Sequence, residues 1–589
     1  MKIIKKMFLL AAAFSFAAVN VSAQDFDDFG SDDSGFGDYS YDTAEPSVVI
    51  SGKAETSARI FPRRTDSGFD TYDYDIDVNS LQDKAVSGDA SLTLGVDYSG
   101  AFTDFSGKIK FNESIFNDYN EDIIQEFTAR AYMGNFQLEA GKMKIVWGKG
   151  DKVHVLDNFN SNDYTDFIIP DYIDRRLALP MFHAVYNVPS ESCFRLEAVY
   201  TPYMVADRLA SDGMWKPAAM SSLETFVTNI EMGKISSTID PITGGVSQAT
   251  IAALNEATAL QGGDQSILYK DNIKSIKFSQ AGLRSTWTLG SVDLGLSYYY
   301  GHYKQPSANI ANMVGYVATP VVKANVFSSY KDQVVAGVRA ATGNTLATYT
   351  DDQVYEYAYA NQASLGQTIY SQAQVDAALD ASLAANGYTL NNALPQLYYD
   401  QLQVFGFEIA TVIGPFNTRA EVAYNLTKDI DGTDPWVHNN SISWEAGFDI
   451  NLPIHNMNLN AQTTGKYILH KDDIKNGELV VANFAGKDIA IPIAEYDVDY
   501  DNTDKYMRNQ VIVDITDNWN YEKIKLDLKG IYQIETKDLM VIPTLTFILA
   551  DTFELNLSGL YIWCGDEEES EYYAWRNNDF FSVGCRYQF

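Results

Sequence analysis

From Val48 to Phe589 the sequence returns again and again to a period of two. In the last stretch Phe581, Val583, Cys585, Tyr587 and Phe589 alternate with Ser582, Gly584, Arg586 and Gln588. Successive side chains of a strand point to opposite faces, so this ribbon is apolar on one side and polar on the other. The pattern also marks Val48–Phe61, Val86–Ser99, Phe105–Phe111, Phe127–Ala131, Phe136–Ala140, Phe182–Val188 and Phe194–Tyr200. It recurs at Ala281–Trp287, Val292–Tyr300, Phe405–Ile413, Phe416–Tyr424, Ile442–Leu452 and Met457–Leu469, and again at Val511–Ile515, Ile524–Tyr532, Leu539–Leu549 and Phe553–Trp563. Every second connection is tiny: Gly100-Ala101, Gly134-Asn135, Pro189–Ser192, Gly290-Ser291, Gly414-Pro415, Pro453–His455, Asn518–Asn520 and Ala550–Thr552. The alternate ones are mostly long, as at 62–84, 149–179, 205–275, 304–401, 428–439, 470–505 and 565–578.

Short turns on one side and long loops on the other are what a barrel crossing a membrane requires, and a soluble sandwich has no reason to sort its loops this way. The expected fold is therefore all-β: a transmembrane, antiparallel up-and-down barrel of about 18 strands, spanning 47–589. Counts of about 16 or 14 remain open if weak pairs such as 511–515 belong to loops. One parity slip is expected at Gly141, a bulge that would make Met143, Ile145 and Trp147 the lipid-facing set.

Residues 1–23 read as a signal peptide. Lys2, Lys5 and Lys6 precede the apolar run Met7–Val19, and Val21-Ser22-Ala23 supplies the cleavage site. Residues 24–46 form an acidic segment with too little aliphatic bulk to fold alone. A formal charge of -35 argues against nucleic acid as a partner. The mean hydropathy of -0.19 is low for a helical membrane protein but suits a barrel with a wet lumen. The three cysteines, Cys193, Cys564 and Cys585, suggest no disulfide framework, and no Cys/His pair has metal-ligand spacing; no cofactor or metal is expected.

The aromatic ending at Phe589 resembles that of bacterial outer-membrane β-barrel proteins. The resemblance implies the outer membrane of a diderm bacterium, a surround of outer-membrane lipid, and recognition of the last strand by the barrel assembly machinery. It leaves a homo-oligomer open. The stretch 147–181 resembles an uncharacterised family of bacterial outer-membrane proteins. The matching residues are Trp147-Gly148, Asn160-Ser161-Asn162-Asp163, Arg175-Arg176 and Leu177-Ala178-Leu179-Pro180-Met181. The family's turn carries a proline that is missing here.

If the apolar faces meet lipid, charged residues must line the lumen, because a midplane Lys or Arg on the lipid side costs about 2–4 kcal/mol. The expected pore-lining bases are Lys108, Lys110, Arg130, Lys142, Lys144, Arg195, Arg284, Arg419, Lys525, Lys529 and Arg586. Inward acids include Glu55, Asp89, Glu139, Glu197, Glu421, Glu445, Asp527 and Glu554. In porins the third loop commonly folds inward, and here that loop is 149–179. Asp157, Asp163, Asp166, Asp171 and Asp174, beside Arg175 and Arg176, would form its constriction. The expected function is a porin-like channel for passive diffusion of small hydrophilic or charged solutes. An enzyme is not expected, since only His183 of the six histidines points inward within a strand and no flanking motif marks a nucleophile. Ser247–Gly262 and Ser371–Gly387 read as short helices with Ser N-caps and closing glycines. The alternative function is a barrel that displays its long loops as an adhesin or host-interaction protein.

Overall fold

The strands run Ser47–Ile60 (β1), Val86–Ser99 (β2), Thr103–Asn112 (β3), Ile124–Met133 (β4), Phe136–Met143 (β5) and Leu179–Asn187 (β6). Then come Arg195–Thr201 (β7), Gln280–Leu289 (β8), Val292–His302 (β9), Gln401–Ile413 (β10), Phe416–Leu426 (β11) and Ser441–Asn451 (β12). The last six are Asn458–Ile468 (β13), Met507–Trp519 (β14), Ile524–Gln533 (β15), Leu539–Ala550 (β16), Phe553–Trp563 (β17) and Phe580–Gln588 (β18). The structure is a computed structural model. It describes residues 46–589 except 65–85, 113–122, 167–171, 191, 211–212, 218–267, 270, 310–313, 344–345, 347, 386–395, 485–486, 502 and 566–568. The expected signal peptide and most of the acidic segment lie outside the described residues, as does the helix expected at Ser247–Gly262.

Each strand pairs antiparallel with the next, in an 18-stranded sheet. The sheet closes on itself: β1 also pairs with β18, Ile60 opposite Phe581 and Lys53 opposite Gln588. Closure leaves no edge and satisfies the ladder internally, which a hydrocarbon surround demands. At the seam Phe589 exchanges backbone hydrogen bonds with Gly52, at 2.9 and 3.0 Å. A Cβ on Gly52 would meet the Phe589 ring at 2.1 Å, so the ring packs in the space that any larger residue at 52 would occupy. The tight turns at Gly134 and Gly290 place glycine at φ 62 and 68, in the left-handed region it tolerates best.

Outside the end of β5, the outward set is the expected one. Val48, Ile50, Phe105, Phe127, Phe136, Phe182, Leu283, Leu296, Phe405, Phe407, Val422, Phe581 and Val583 are all exposed. In water so wide a belt would be an open hydrophobic surface; around a barrel it is the lipid contact.

The expected slip at Gly141 does not occur. Gly141 faces Met181 and Met143 faces Leu179 across the ladder to β6, and these partners are buried inside. Met143, Ile145 and Trp147 therefore belong to the interior, where Trp147 is 1% exposed. Lys142, paired with the lipid-facing Phe127, lies on the outer face instead.

The connection between β9 and β10 builds a helical insert of Val314–Ala341 (α1), Asp351–Ala360 (α2) and Gln372–Ala385 (α3). Thr350 caps α2 in a reciprocal box: Gln353 N–H donates to Thr350 Oγ1 at 3.3 Å, and Thr350 N–H to Gln353 Oε1 at 3.0 Å. Val326, Tyr330, Val338, Val354, Ala358, Val375 and Leu379 form the insert's own apolar core. A hairpin of Glu478–Phe484 and Lys487–Pro492, from the connection after β13, packs beside α1 and α3. Helix α3 is the helix expected at Ser371–Gly387; α1 and α2 were not expected.

Candidate functional site: the lumen and the loop that enters it

The connection 144–178 leaves β5 and enters the barrel. Its head, Trp147-Gly148-Lys149-Gly150, carries two glycines one residue apart. At both, a Cβ would strike the carboxylate of Glu421, at 2.2 Å from Gly148 and 3.0 Å from Gly150. That close approach lets the loop wrap Glu421, which points inward from β11. The N–H groups of Gly150, Val155 and Leu156 donate to its two oxygens at 2.6, 2.8 and 3.3 Å. His154 Nδ1 lies 3.1 Å from Oε1. Both side chains are sealed from solvent, at 6% and 0% exposure.

The loop then reaches across the bore. Lys152 N–H donates to Gln462 Oε1 on β13 at 3.0 Å, and its ammonium lies 2.8 Å from Asp514 on β14. Asp151 accepts from Asn460 on β13. The returning limb packs Leu156 and Phe159 with Trp147 against Met181, Val199, Tyr299, Leu402, Val404 and Ala423 of the barrel wall. Phe159 meets Trp147 and Tyr299 edge to face, with centroids 5.0 and 5.1 Å apart. Asp166 ends the described limb with a 2.6 Å ion pair to Arg59 on β1.

Asn160 and Arg176 hold the two limbs together. Ile145 N–H donates to Asn160 Oδ1 at 2.9 Å, and Asn160 Nδ2 donates to the Leu177 carbonyl at 2.8 Å. Arg176 donates to the Asn160 carbonyl at 2.6 Å and to the Asp157 carboxylate at 2.5 Å. Trp147, Asn160 and Arg176 are thus among the residues that fold this loop. Asp157→Asn should leave the Arg176 guanidinium buried without its counter-charge, a loss of about 3–5 kcal/mol. The expected outcome is faster hydrogen exchange and new protease cleavage within 149–179, with the barrel strands unaffected.

A second strap lies above. Asp163 of the inner loop pairs with Arg208 at 2.8 Å, and Ser161 Oγ donates to the Val205 carbonyl. From there 213–217 reaches the far rim, where Met214 and Trp215 join Phe61, Met540, Leu560, Ile562, Tyr572 and Phe580. Asn578 Nδ2 donates to the Met214 carbonyl at 2.7 Å. Lys304, just past β9, sits beneath this strap beside Tyr299 Oη at 3.3 Å. Burial, with Arg176 nearby, pulls its ammonium down to about 7, against the attraction of Asp207 and Asp157. An unfolded lysine titrates near 10.5, so between that pH and 7 the unfolded chain holds the extra proton. Stability of the strap should therefore rise with pH across that window and level off outside it. Lys304→Met should flatten that rise in hydrogen exchange of 202–217; an unchanged slope would contradict the assignment.

The loop divides the predicted pore residues into two groups. On the covered wall Arg284 is 3% exposed and spent on Glu408 at 2.6 Å and Glu197 at 3.5 Å. It does not line an open path. His183 completes the same belt, its ring nitrogens 3.4 Å from Glu139 and 3.5 Å from Glu197. Arg195 pairs with Glu197 at 3.1 Å, whereas Arg130, on β4 beyond the covered wall and 39% exposed, pairs with Glu139 at 3.1 Å. Arg419 contacts Asp449 and lies 3.9 Å from Asp151. On the opposite wall, lumen-facing side chains stay half-exposed. Lys108 pairs with Glu126 at 3.4 Å beside Lys110 on β3. Lys144, on the loop, donates to the Ile173 carbonyl at 3.0 Å and lies 4.0 Å from Glu126. Arg586 bridges Glu55 and Glu554 at 3.0 and 3.5 Å. Lys525 and Lys529 face inward from β15, opposite Asn518 and Asp514 of β14.

Two further expectations need correction. Lys142, on the outer face, donates to the Ile124 carbonyl at 2.6 Å and does not line the lumen. Asp157 and Arg176 neutralise each other out of contact with the bore, at 0% and 4% exposure. Arg175 lies over the Tyr164 ring at 5.3 Å, Asp174 occupies the short helix Tyr172–Arg175, and Asp171 lies outside the described residues. The sequence reading missed Glu408 and Asp514 as lumen carboxylates, although strand parity on β10 and β14 places both inward. It also missed Glu421 as the loop's anchor, for which the paired glycines 148 and 150 were the available signal.

A closed, lipid-girdled barrel with a charged interior and an inward-folded loop is the architecture of outer-membrane β-barrels. Solved structures of that class resemble it. The Pseudomonas aeruginosa protein OpdO is 7% identical, with 92% of this chain and 96% of that one covered and a TM-score of 0.39. The outer membrane channel DcaP of Acinetobacter baumannii is 8% identical over 93% and 99%, at 0.34. Wzi of Escherichia coli, described as a carbohydrate-binding β-barrel of capsule assembly, is 8% identical over 92% and 84%, at 0.35. No protein-family model matches the sequence, and no curated protein does. At such identities no residue role transfers from one chain to the other.

Proposed function

We propose that this chain is an outer-membrane channel through which small hydrophilic or charged solutes diffuse, narrowed by the loop 149–179. One observation carries the reading. The loop covers the lumenal wall between β6 and β11 with apolar side chains, while the charged residues of the facing wall, on β15, β17, β18 and β1–β3, stay exposed or half-buried. A barrel whose interior served only as a packed core would not cover one wall and leave the other wet. The lane so formed alternates Lys53, Lys108, Lys110, Lys525, Lys529 and Arg586 with Glu55, Asp89, Asp527 and Glu554. Such a wall supports passage of ions of either sign, with a basic lean near β3 and β15. Purified protein in planar bilayers should give discrete conductance steps. Silence from the intact protein, together with silence from a form trimmed within 149–179, would overturn the reading.

A further inference from the structure

At the long-loop end three connections that are remote in sequence converge on one open cleft of about 310 Å³. The connection before β8 contributes Asp271, the one between β9 and β10 contributes Asn309, Gln396 and Tyr398, and the one between β11 and β12 contributes Asp434 and Trp436. The cleft is a built feature. Ser307–Asn309 and Gln396–Tyr398 form a ladder with Asn309 opposite Gln396, and Tyr269 bridges to Leu397 beneath it. The floor is apolar, with Leu268 and Leu397 buried together. On the other lip, the Trp436 N–H donates to Asp434 Oδ1 at 3.0 Å, and Asp434 N–H to Asp429 Oδ2 at 2.9 Å, so the Asp434–Trp436 turn is fixed from within. A similar tie holds Asp271, which pairs with Lys277 at 2.7 Å.

We infer that this cleft binds a neutral sugar of one or two pyranose rings. Two kinds of group are combined here. Trp436 and Tyr398 offer flat faces that suit the C–H face of a pyranose, whose apolar patch is desolvated on stacking. Around them, the amides of Asn309 and Gln396 can both donate to and accept from sugar hydroxyls, and the carboxylates of Asp271 and Asp434 can accept from them. The volume is that of a small-ligand cleft. A cationic amine is the competing ligand, since aromatics beside carboxylates also attract quaternary ammonium groups. The sugar is favoured because Asp271 is already paired with a lysine and two uncharged amides share the lining. The site is built from connections and not from barrel strands, and the inference does not depend on whether the barrel conducts.

The test uses the full chain in detergent micelles and saturation-transfer NMR with maltose, lactose, chitobiose and tetramethylammonium as probes. At least one of the three sugars should bind with millimolar affinity. Trp436→Ala should weaken it about tenfold, the loss expected of a stacking face. Asn309→Ala with Gln396→Ala should weaken it while heat-modifiable migration of the barrel and any conductance stay as in the parent chain. Failure of all three sugars to bind the folded parent would overturn the inference. So would Trp436-dependent binding of tetramethylammonium alone.

Discussion

Glu421→Ala should raise single-channel conductance by about twofold or more, because it removes what holds the inner loop in the lumen. The carboxylate takes three backbone N–H groups and faces His154, all within 3.3 Å. Hydrogen bonds to a buried charge contribute about 1.5–3 kcal/mol each, and donors left unpaired cost a comparable amount. The lost stabilisation therefore falls on the loop, whose apolar contacts with Tyr299 and Val404 have to carry it alone. The barrel ladder is untouched, so heat-modifiable migration should not change. Glu421→Gln, which keeps one accepting oxygen, should fall between the two. Unchanged conductance in Glu421→Ala would mean that the apolar contacts alone seat the loop.

Reversing two charges should have an effect of similar size on selectivity. Lys525 and Lys529 project inward from β15, Lys525 exposed and Lys529 half-buried. Lys525→Glu with Lys529→Glu should move the cation-to-anion permeability ratio about threefold or more toward cations. The shift should shrink at high salt, as mobile ions screen wall charges within a few ångströms. The matched control is Lys142→Glu on the outer face, which should leave the reversal potential where it is. Equal shifts from both variants would place the current elsewhere.

The barrel was legible because period-two alternation and the sorting of short from long connections are both consequences of one geometry. Strands β1 to β18 were all anticipated, including β14, whose core 511–515 was the weakest signal. The interior was less legible. Met143, Ile145 and Trp147 look the same to a parity argument whether lipid or a folded loop covers them, and only the ladder from Met143 to Leu179 decides. Arg284 obeyed parity and still gives no surface to the bore, since parity says which way a side chain points and nothing of what lies over it. Helix α3 was readable from its alanines and leucines, Val375 and Leu379 falling one turn apart. Helix α1 was hidden because Val314, Val317, Val321, Val322 and Val326, with Pro320 among them, favour strand or break helix locally. Tertiary packing of Val326 and Val338 against α2 and α3 overrides that preference.

The most direct test is thiol accessibility across the bore, in a background where Cys193, Cys564 and Cys585 are replaced by serine. A charged methanethiosulfonate reagent should modify Lys529→Cys and Lys108→Cys and reduce the current through each. Val404→Cys and Ala423→Cys, under the inner loop on the opposite wall, should stay unmodified with current intact. Modification of all four at one rate, or block through the covered wall alone, would contradict a lumen divided by the loop at 149–179.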